Sequence, residues 1–178
     1  MLFEVNRDLK KSYFSALFST KLDQWLIKEN EHNTKLLGSG SYGEVFFVEL
    51  GDDFKKRAVA KKVTKIRNKS TKLSDEFVRE FGTLELISRA QTPVDRLIRM
   101  LGVKISRHSN GAWKTSLFTP FFAGGNLADF LQRFGGLVAA EELRQMCRDI
   151  LQMVQQLRSC TILHRDFKAQ NIVVSSTR

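Results

Sequence analysis

Cysteine is scarce in this sequence, and long apolar runs are absent from it. Cys147 and Cys160 are the only cysteines among the 178 residues, and neither belongs to a C-x-x-C motif or lies beside histidines that could share a metal. Both fall within an apolar helical pattern, which indicates buried thiols in a reducing compartment. No segment is long and apolar enough to span a membrane, and Glu4 and Asp8 exclude a secretory signal at the N-terminus. The sequence therefore predicts a soluble, cytoplasmic protein.

Acidic residues are outnumbered by basic ones. The chain has 19 Asp and Glu against 29 Lys and Arg, which gives a formal net charge of +10. The basic residues are densest between Lys55 and Lys72, and such a patch can bind nucleic acid or anionic lipid. No aromatic side chains are interleaved with them, as single-strand binding would favour. A solvated loop or face is therefore the favoured interpretation, and nucleic acid is not an expected partner.

Residues 9–27 carry apolar side chains at helical spacing, Leu17, Phe18 and Trp25 among them. Either a helix packs on the domain here, or a basic amphipathic helix lies on a membrane surface or a partner. Packing is favoured because Asp23 and several serines dilute the basic face. We assign residues 1–32 to a helical leader, the one segment through which a membrane contact is conceivable.

A glycine-rich segment follows and leads into the strand-like residues 45–48. Glycines in a G-x-G-x-x-G pattern let backbone amides approach phosphate oxygens, where a Cβ would obstruct them. In a dinucleotide-binding fold these glycines open a helix, whereas here the chain continues into a second strand. The pattern predicts ATP held beneath a hairpin formed by Gly38, Ser39, Gly40, Ser41, Tyr42, Gly43 and Val45.

Residues 57–63 form the next predicted strand, and two of its lysines compete for the phosphates. Side chains alternate along a strand, so Lys62 would put small Ala60 on the nucleotide face, whereas Lys61 would put Val59 there. A planar base needs room, which favours Lys62.

A helix is predicted over residues 74–90, with Ser74 as its N-cap. Glu80 lies off the apolar stripe of this helix and is placed to hold the strand lysine by an ion pair. Glu76 and Glu85 are the alternatives.

Beyond this helix the pattern predicts a hairpin and then a change to helices. Residues 97–105 lead into a strand, and residues 113–119 return around an Asn110-Gly111 turn. The extended connector 120–125 marks a boundary between two lobes. A helix capped by Asn126 and a longer helix over 140–158 follow, and the apolar stripe of the longer helix predicts a core face.

The last motif, H-R-D-F-K-A-Q-N, spans residues 164–171 and precedes an apolar run. It places the carboxylate of Asp166, the cation of Lys168 and the carboxamide of Asn171 on one short loop. This spacing suits the positioning of a hydroxyl beside a metal-bound phosphate.

In this order the motifs resemble those of eukaryotic-type protein kinases. Residues 38–45 match G-x-G-x-x-G-x-V, residues 59–62 resemble V-A-I-K with Lys61 for isoleucine, and residues 164–171 resemble H-R-D-L-x-x-x-N with Phe167 for leucine. The resemblance implies an α+β, kinase-like fold. Residues 33–119 would form a complete small lobe of antiparallel sheet plus one helix, 120–125 the hinge, and 126–178 the first helices of a truncated large lobe.

The resemblance also implies roles for individual residues. Asp166 would orient the substrate hydroxyl, and Asn171 would bind Mg²⁺. Lys62, held by Glu80, would contact the phosphates of ATP. Lys168 resembles the lysine that serine/threonine kinases place on the transferred phosphoryl group, so a protein serine or threonine would be the substrate. The adenine would be bound by Val45, Ala60, Val173, the gatekeeper Thr119, and the backbone of Pro120 and Phe122.

No D-F-G motif follows Val174. The resemblance therefore favours the front portion of a serine/threonine kinase that is active as a whole protein. The 178 residues alone are expected to be inactive and marginally stable. The main alternative is a naturally truncated kinase-like module that binds a partner protein through the exposed face of the 140–158 helix. An adaptor for membranes or nucleic acid is a third, weaker hypothesis.

Overall fold

The computed structural model describes residues 4–5, 26–41, 43–52, 55–64, 75–91, 94–107, 113–133, 135 and 137–175. Several predicted features lie outside these residues: the predicted leader helix over residues 9–25, Tyr42, the Ser74 cap, the Asn110-Gly111 turn, and the basic residues between 65 and 72. In chain order the elements are β1 (Glu4–Val5), β2 (Glu31–Gly40), β3 (Gly43–Gly51), β4 (Lys56–Thr64), α1 (Asp75–Arg89), β5 (Gly102–Arg107), β6 (Trp113–Pro120), α2 (Leu127–Arg133), α3 (Ala140–Ser159) and β7 (Ile162–Leu163), followed by a 3-10 turn (Ala169–Asn171).

A five-stranded antiparallel sheet is the centre of the fold, with the order β2-β3-β4-β6-β5. Val45 pairs with Lys62, and Lys62 pairs with Leu117, so the strands after the glycine hairpin are aligned side by side. A separate two-stranded ladder joins β1 to β7, with Val5 opposite Ile162. With the helices that follow, this is the predicted α+β architecture.

The alternation of side chains along the strands divides the apolar residues between two faces of the sheet. The inner core packs α1 against the sheet and consists of Phe77, Phe81, Leu84, Met100, Val103 and Leu117. The outer core lies on the opposite face and consists of Val48, Leu50, Val59 and Phe118, with Ile27 packed against it. Because β4 lies between these two cores, its consecutive side chains point to different environments.

The chain ahead of β2 is extended where the sequence predicts the end of a helix. Leu26 forms a parallel bridge with Val103, and the Ile27 amide donates to the Val103 carbonyl at 2.8 Å. The predicted helix is therefore wrong at its last two residues. The reason is that β5 is the last strand of the sheet, and its outer edge offers main-chain partners that the helical spacing of the side chains does not reveal.

The C-terminal end of α3 packs against α1 and the loop after it. A junction core links α1, the loop after it, α3 and β7 through Ile87, Val94, Leu157 and Ile162. The predicted core face of α3 is buried at Leu157 but exposed at Leu143 and Val154, and Leu151, outside the predicted face, is exposed too. Cys147 is also exposed, contrary to the prediction of two buried thiols, and Cys160 is half-buried.

In the described part of the chain, none of the helices α1, α2 and α3 is long and apolar enough to cross a membrane.

Candidate active site

The glycine-rich hairpin is formed by β2 and β3, with Gly40 opposite Gly43 and Gly38 opposite Val45. A Cβ added at Gly38 or Gly40 would meet no heavy atom within 4 Å, so the backbone there is open to an approaching group. At Gly43 a Cβ would collide with the carbonyl oxygen of Val63 on β4. The first two glycines therefore leave the backbone accessible, and the third permits close strand packing. Ser39 and Ser41 are exposed beside them.

Lys62 projects from β4 toward α1. Its Nζ donates to both carboxylate oxygens of Glu80, at 2.7 and 2.6 Å, and the two side chains are 20% and 14% exposed. Lys61 projects to the opposite face and pairs with Glu31. Of the alternative glutamates, Glu85 is buried and paired with Arg89 within α1. The structure thus brings Lys62 together with Glu80 and directs Lys61 elsewhere.

The residues predicted to surround a base lie along one face of the sheet and in the connector after β6. Ala60 pairs with Thr119, and Pro120 ends β6 opposite Val59. Phe122 is half-buried in the connector.

The ring of Phe121, in the same connector, packs edge-on against Phe47 of β3, with centroids 4.9 Å apart. Phe47 pairs with Ala60, so its side chain lies on the same face of the sheet as that of Ala60. This aromatic contact escaped the sequence analysis, which treated residues 45–48 only as a strand.

The connector is hydrogen-bonded to residues 172–174, which follow the H-R-D-F-K-A-Q-N motif. The Val174 amide donates to the Gly125 carbonyl at 2.9 Å, and the Leu127 amide donates to the Ile172 carbonyl at 2.8 Å. A Cβ at Gly124 would collide with the Val174 carbonyl oxygen. These contacts bring Val173 close to the connector. Sequence reasoning missed the part played by Gly124, although the Gly124-Gly125 pair was a signal of close backbone approach.

Asp166, Lys168 and Asn171 converge on the loop after β7. Asn171 Nδ2 donates to the Asp166 main-chain oxygen at 2.7 Å and to its Oδ2 at 2.9 Å. Lys168 Nζ lies 2.9 Å from the same Oδ2. The hydrogen bond from Lys168, and then that from Asn171, lower the pKa of Asp166 below its usual value of 3.8. Asp166 is therefore ionised at neutral pH and fixed in direction.

His164 is buried and contacts this loop. It is 8% exposed, and its ring contacts Phe167 edge-on with centroids 5.5 Å apart. The Asp166 amide donates to the His164 carbonyl at 2.8 Å and to its Nδ1 at 3.3 Å. Burial lowers the pKa of His164, which favours the neutral ring whose Nδ1 can accept that bond. Arg165 between them has a φ of 60°, a left-handed turn that aims Asp166 back toward Asn171.

Asn171 is the residue of this loop suited to hold a Mg²⁺ ion. Its amide nitrogen donates to Asp166, which leaves its side-chain oxygen Oδ1 as the atom that could bind such an ion. One or two protein oxygens suffice for Mg²⁺, which keeps several waters and takes phosphate oxygens from the nucleotide. Among the residues that the structure describes, no group of three or more His, Cys, Asp and Glu side chains is arranged to hold a metal ion.

The candidate site thus combines an open glycine hairpin, the ion pair of Lys62 with Glu80, and a loop that fixes the carboxylate of Asp166. The family model for protein tyrosine and serine/threonine kinases matches residues 32–178. The chain belongs to this protein kinase family.

Known relatives are of both substrate classes. The chain is 27% identical over 170 residues to the tyrosine-protein kinase TXK of Homo sapiens, with 95% of this chain and 29% of the relative covered. It is 31% identical over 177 residues to a protein of Dictyostelium discoideum described as a probable serine/threonine-protein kinase, with 98% and 27% covered. It is 30% identical over 146 residues to the tyrosine-protein kinase Mer of Mus musculus, with 79% and 14% covered. The chain thus spans less than a third of the length of these relatives.

Proposed function

We propose that this chain is the nucleotide-binding and catalytic-loop part of a protein serine/threonine kinase, which transfers the γ-phosphoryl group of ATP to a hydroxyl of a protein substrate. The observation that carries the proposal is the contact of Lys168 Nζ with Asp166 Oδ2 at 2.9 Å. A lysine there places a positive charge beside the oriented carboxylate, where it can neutralise charge on a phosphoryl group in transfer.

The remaining residues divide the binding of ATP among them. The amides of the glycine hairpin and Lys62, held by Glu80, would contact the phosphates. Thr119 and the backbone of Pro120 and Phe122 would meet the base, which would lie between Val45 and Ala60 on one side and Val173 on the other. Mg²⁺, when bound with the nucleotide, would neutralise charge on the phosphate oxygens. Asp166 would orient the substrate hydroxyl, and Asn171 would fix Asp166 and offer its Oδ1 to the ion.

The test is a phosphotransfer assay with the longest natural chain that contains these 178 residues. Peptides matched except for a Ser, Thr or Tyr acceptor are incubated with Mg²⁺ and ATP. We expect transfer to Ser and Thr and none by the Asp166→Asn variant. Transfer to Tyr alone would overturn the substrate class and leave kinase activity intact.

A second candidate is a kinase-like binding module that transfers nothing. The observation in its favour is the exposed apolar side of α3, where Leu143, Leu151 and Val154 are 52%, 63% and 46% exposed. A partner protein would cover this side. If the natural chain binds ATP but shows no difference in transfer from its Asp166→Asn variant, this candidate replaces the first.

A further inference from the structure

Three charged side chains meet on the face of the sheet opposite the Lys62–Glu80 pair. Lys61 of β4 donates to Glu31 Oε2, and Lys104 of β5 donates to Glu31 Oε1 at 2.9 Å. The Lys61 ammonium also lies over the ring of Phe118, 5.8 Å from its centroid. We call Glu31, Lys61 and Lys104 the outer-face triad.

The triad lies partly out of water. Glu31 and Lys61 side chains are 17% and 13% exposed, and Lys104 is 45% exposed. Each oxygen of the Glu31 carboxylate has its own ammonium donor, which offsets the cost of removing the carboxylate from water. A pair in this setting is less screened by salt than a surface pair.

The position of Glu31 in the chain gives the triad its consequence. Glu31 is the first residue of β2, and the glycine hairpin is at the other end of that strand. Among the strands that the structure describes, β2 pairs with β3 alone, and the pairing is irregular between His32 and Lys35 and again between Leu36 and Gly38. Residues 33–40 are all exposed. Glu31 is thus where β2 is fixed to strands outside its own hairpin, β4 and β5.

We propose that Glu31 is a positioning residue for the nucleotide site. By binding Lys61 and Lys104 it fixes the base of the glycine hairpin over the sheet. This inference rests on the proposed function in so far as the positioned site binds ATP.

The test compares four variants of the longest natural chain that contains these 178 residues with the wild type: Glu31→Gln, Lys61→Met, Lys61→Arg and the double variant Glu31→Gln/Lys61→Met. Glu29→Gln is the matched control. Glu29 lies two residues before Glu31 and also forms an ion pair, with Arg57, but both of these side chains are about half exposed. ATP affinity is measured by titration with Mg²⁺ present, and amide hydrogen exchange of residues 38–43 is measured without nucleotide. Both are recorded well below each variant's midpoint of thermal unfolding.

We expect Glu31→Gln and Lys61→Met each to weaken ATP binding by about threefold to tenfold and to speed exchange in the hairpin by a similar factor. The double variant should be no worse than either single one, Lys61→Arg should retain wild-type behaviour, and Glu29→Gln should change neither quantity.

A purely structural role would give a different pattern. If Glu31→Gln lowers only the unfolding midpoint and leaves both ATP affinity and hairpin exchange unchanged, the positioning role is overturned. If the wild type binds no ATP, the proposed function fails for this chain. Hairpin exchange then decides alone: faster exchange in Glu31→Gln supports the role of Glu31, and unchanged exchange removes it.

Discussion

At the residue scale, the adjacent lysines of β4 differ mainly in the face of the sheet from which they project. Lys62 and Glu80 form a largely buried ion pair. Lys62→Met and Glu80→Gln should each weaken ATP binding by about tenfold or more, and because they remove one shared unit, the double variant should fall well short of the sum. Titration with ATP and Mg²⁺ checks this. Lys114→Met, at an exposed lysine of β6, is the control and should bind as the wild type does. Full additivity would contradict a functional pair.

Asp166 allows a prediction about pH. Because Lys168 and Asn171 lower its folded-state pKa, the ionised form contributes stability above the usual pKa of 3.8, and this contribution is lost as the pH falls from there through the lower folded value. Lys168→Met should therefore raise the pKa of Asp166 toward 3.8, measured by NMR titration of the side-chain carboxyl. Asp95, whose pKa is lowered chiefly by Gln156, serves as an internal control and should not move. An unchanged pKa of Asp166 would show that the Lys168 contact does not persist in solution.

At the scale of elements, the three glycines of the hairpin make separate contributions. Gly43→Ala should lower the free energy of unfolding by about 1–3 kcal/mol, because its Cβ would collide with the Val63 carbonyl on β4. Gly38→Ala should change it by less than about 0.5 kcal/mol, because the site is open. Urea denaturation measures both. Equal costs at the two positions would mean that β3 and β4 pack less closely than the structure shows.

The sequence predicts the elements of this fold better than it predicts the contacts between them. The strands β3 and β4, the helix α1 and the Asn126 cap follow from local patterns, and Asn126 Oδ1 indeed accepts the Asp129 amide at 2.9 Å. Alternation along β4 and the apolar stripe of α1 also led to the choice of Lys62 and Glu80. Glu31 and Lys104 are 73 residues apart, and their meeting depends on how the sheet curls, which no local pattern contains. The extended backbone at Leu26 and Ile27 was missed for the same reason.

At the scale of the whole molecule, two sets of contacts in the described part of the chain join the five-stranded sheet and α1 to the segments after the connector. The connector after β6 is hydrogen-bonded to residues 172–174, and the junction core packs α1 against α3 and β7. A polar network strengthens the second connection: Arg96, in the loop after α1, binds Asp149 and Gln152 of α3 at 3.2 Å each. Because Glu80 and Asp166 belong to different sides of this junction, its packing helps to fix the Lys62–Glu80 pair relative to the loop that carries Asp166.

Buried and exposed leucines of α3 should respond differently to substitution. Leu157 is 5% exposed in the junction core, and Leu157→Ala should cost about 2–5 kcal/mol, a large part of a domain's total stability. Leu151 is 63% exposed, and Leu151→Glu should change the free energy of unfolding by less than about 0.5 kcal/mol.

Since exposed apolar side chains promote association, Leu151→Glu should also reduce concentration-dependent self-association of the 178-residue chain. Urea denaturation and sedimentation velocity measure the two effects. If the wild type is monomeric at every concentration, the exposed apolar side chains of α3 do not promote self-association. If it also unfolds in one cooperative step, the expectation of marginal stability is wrong.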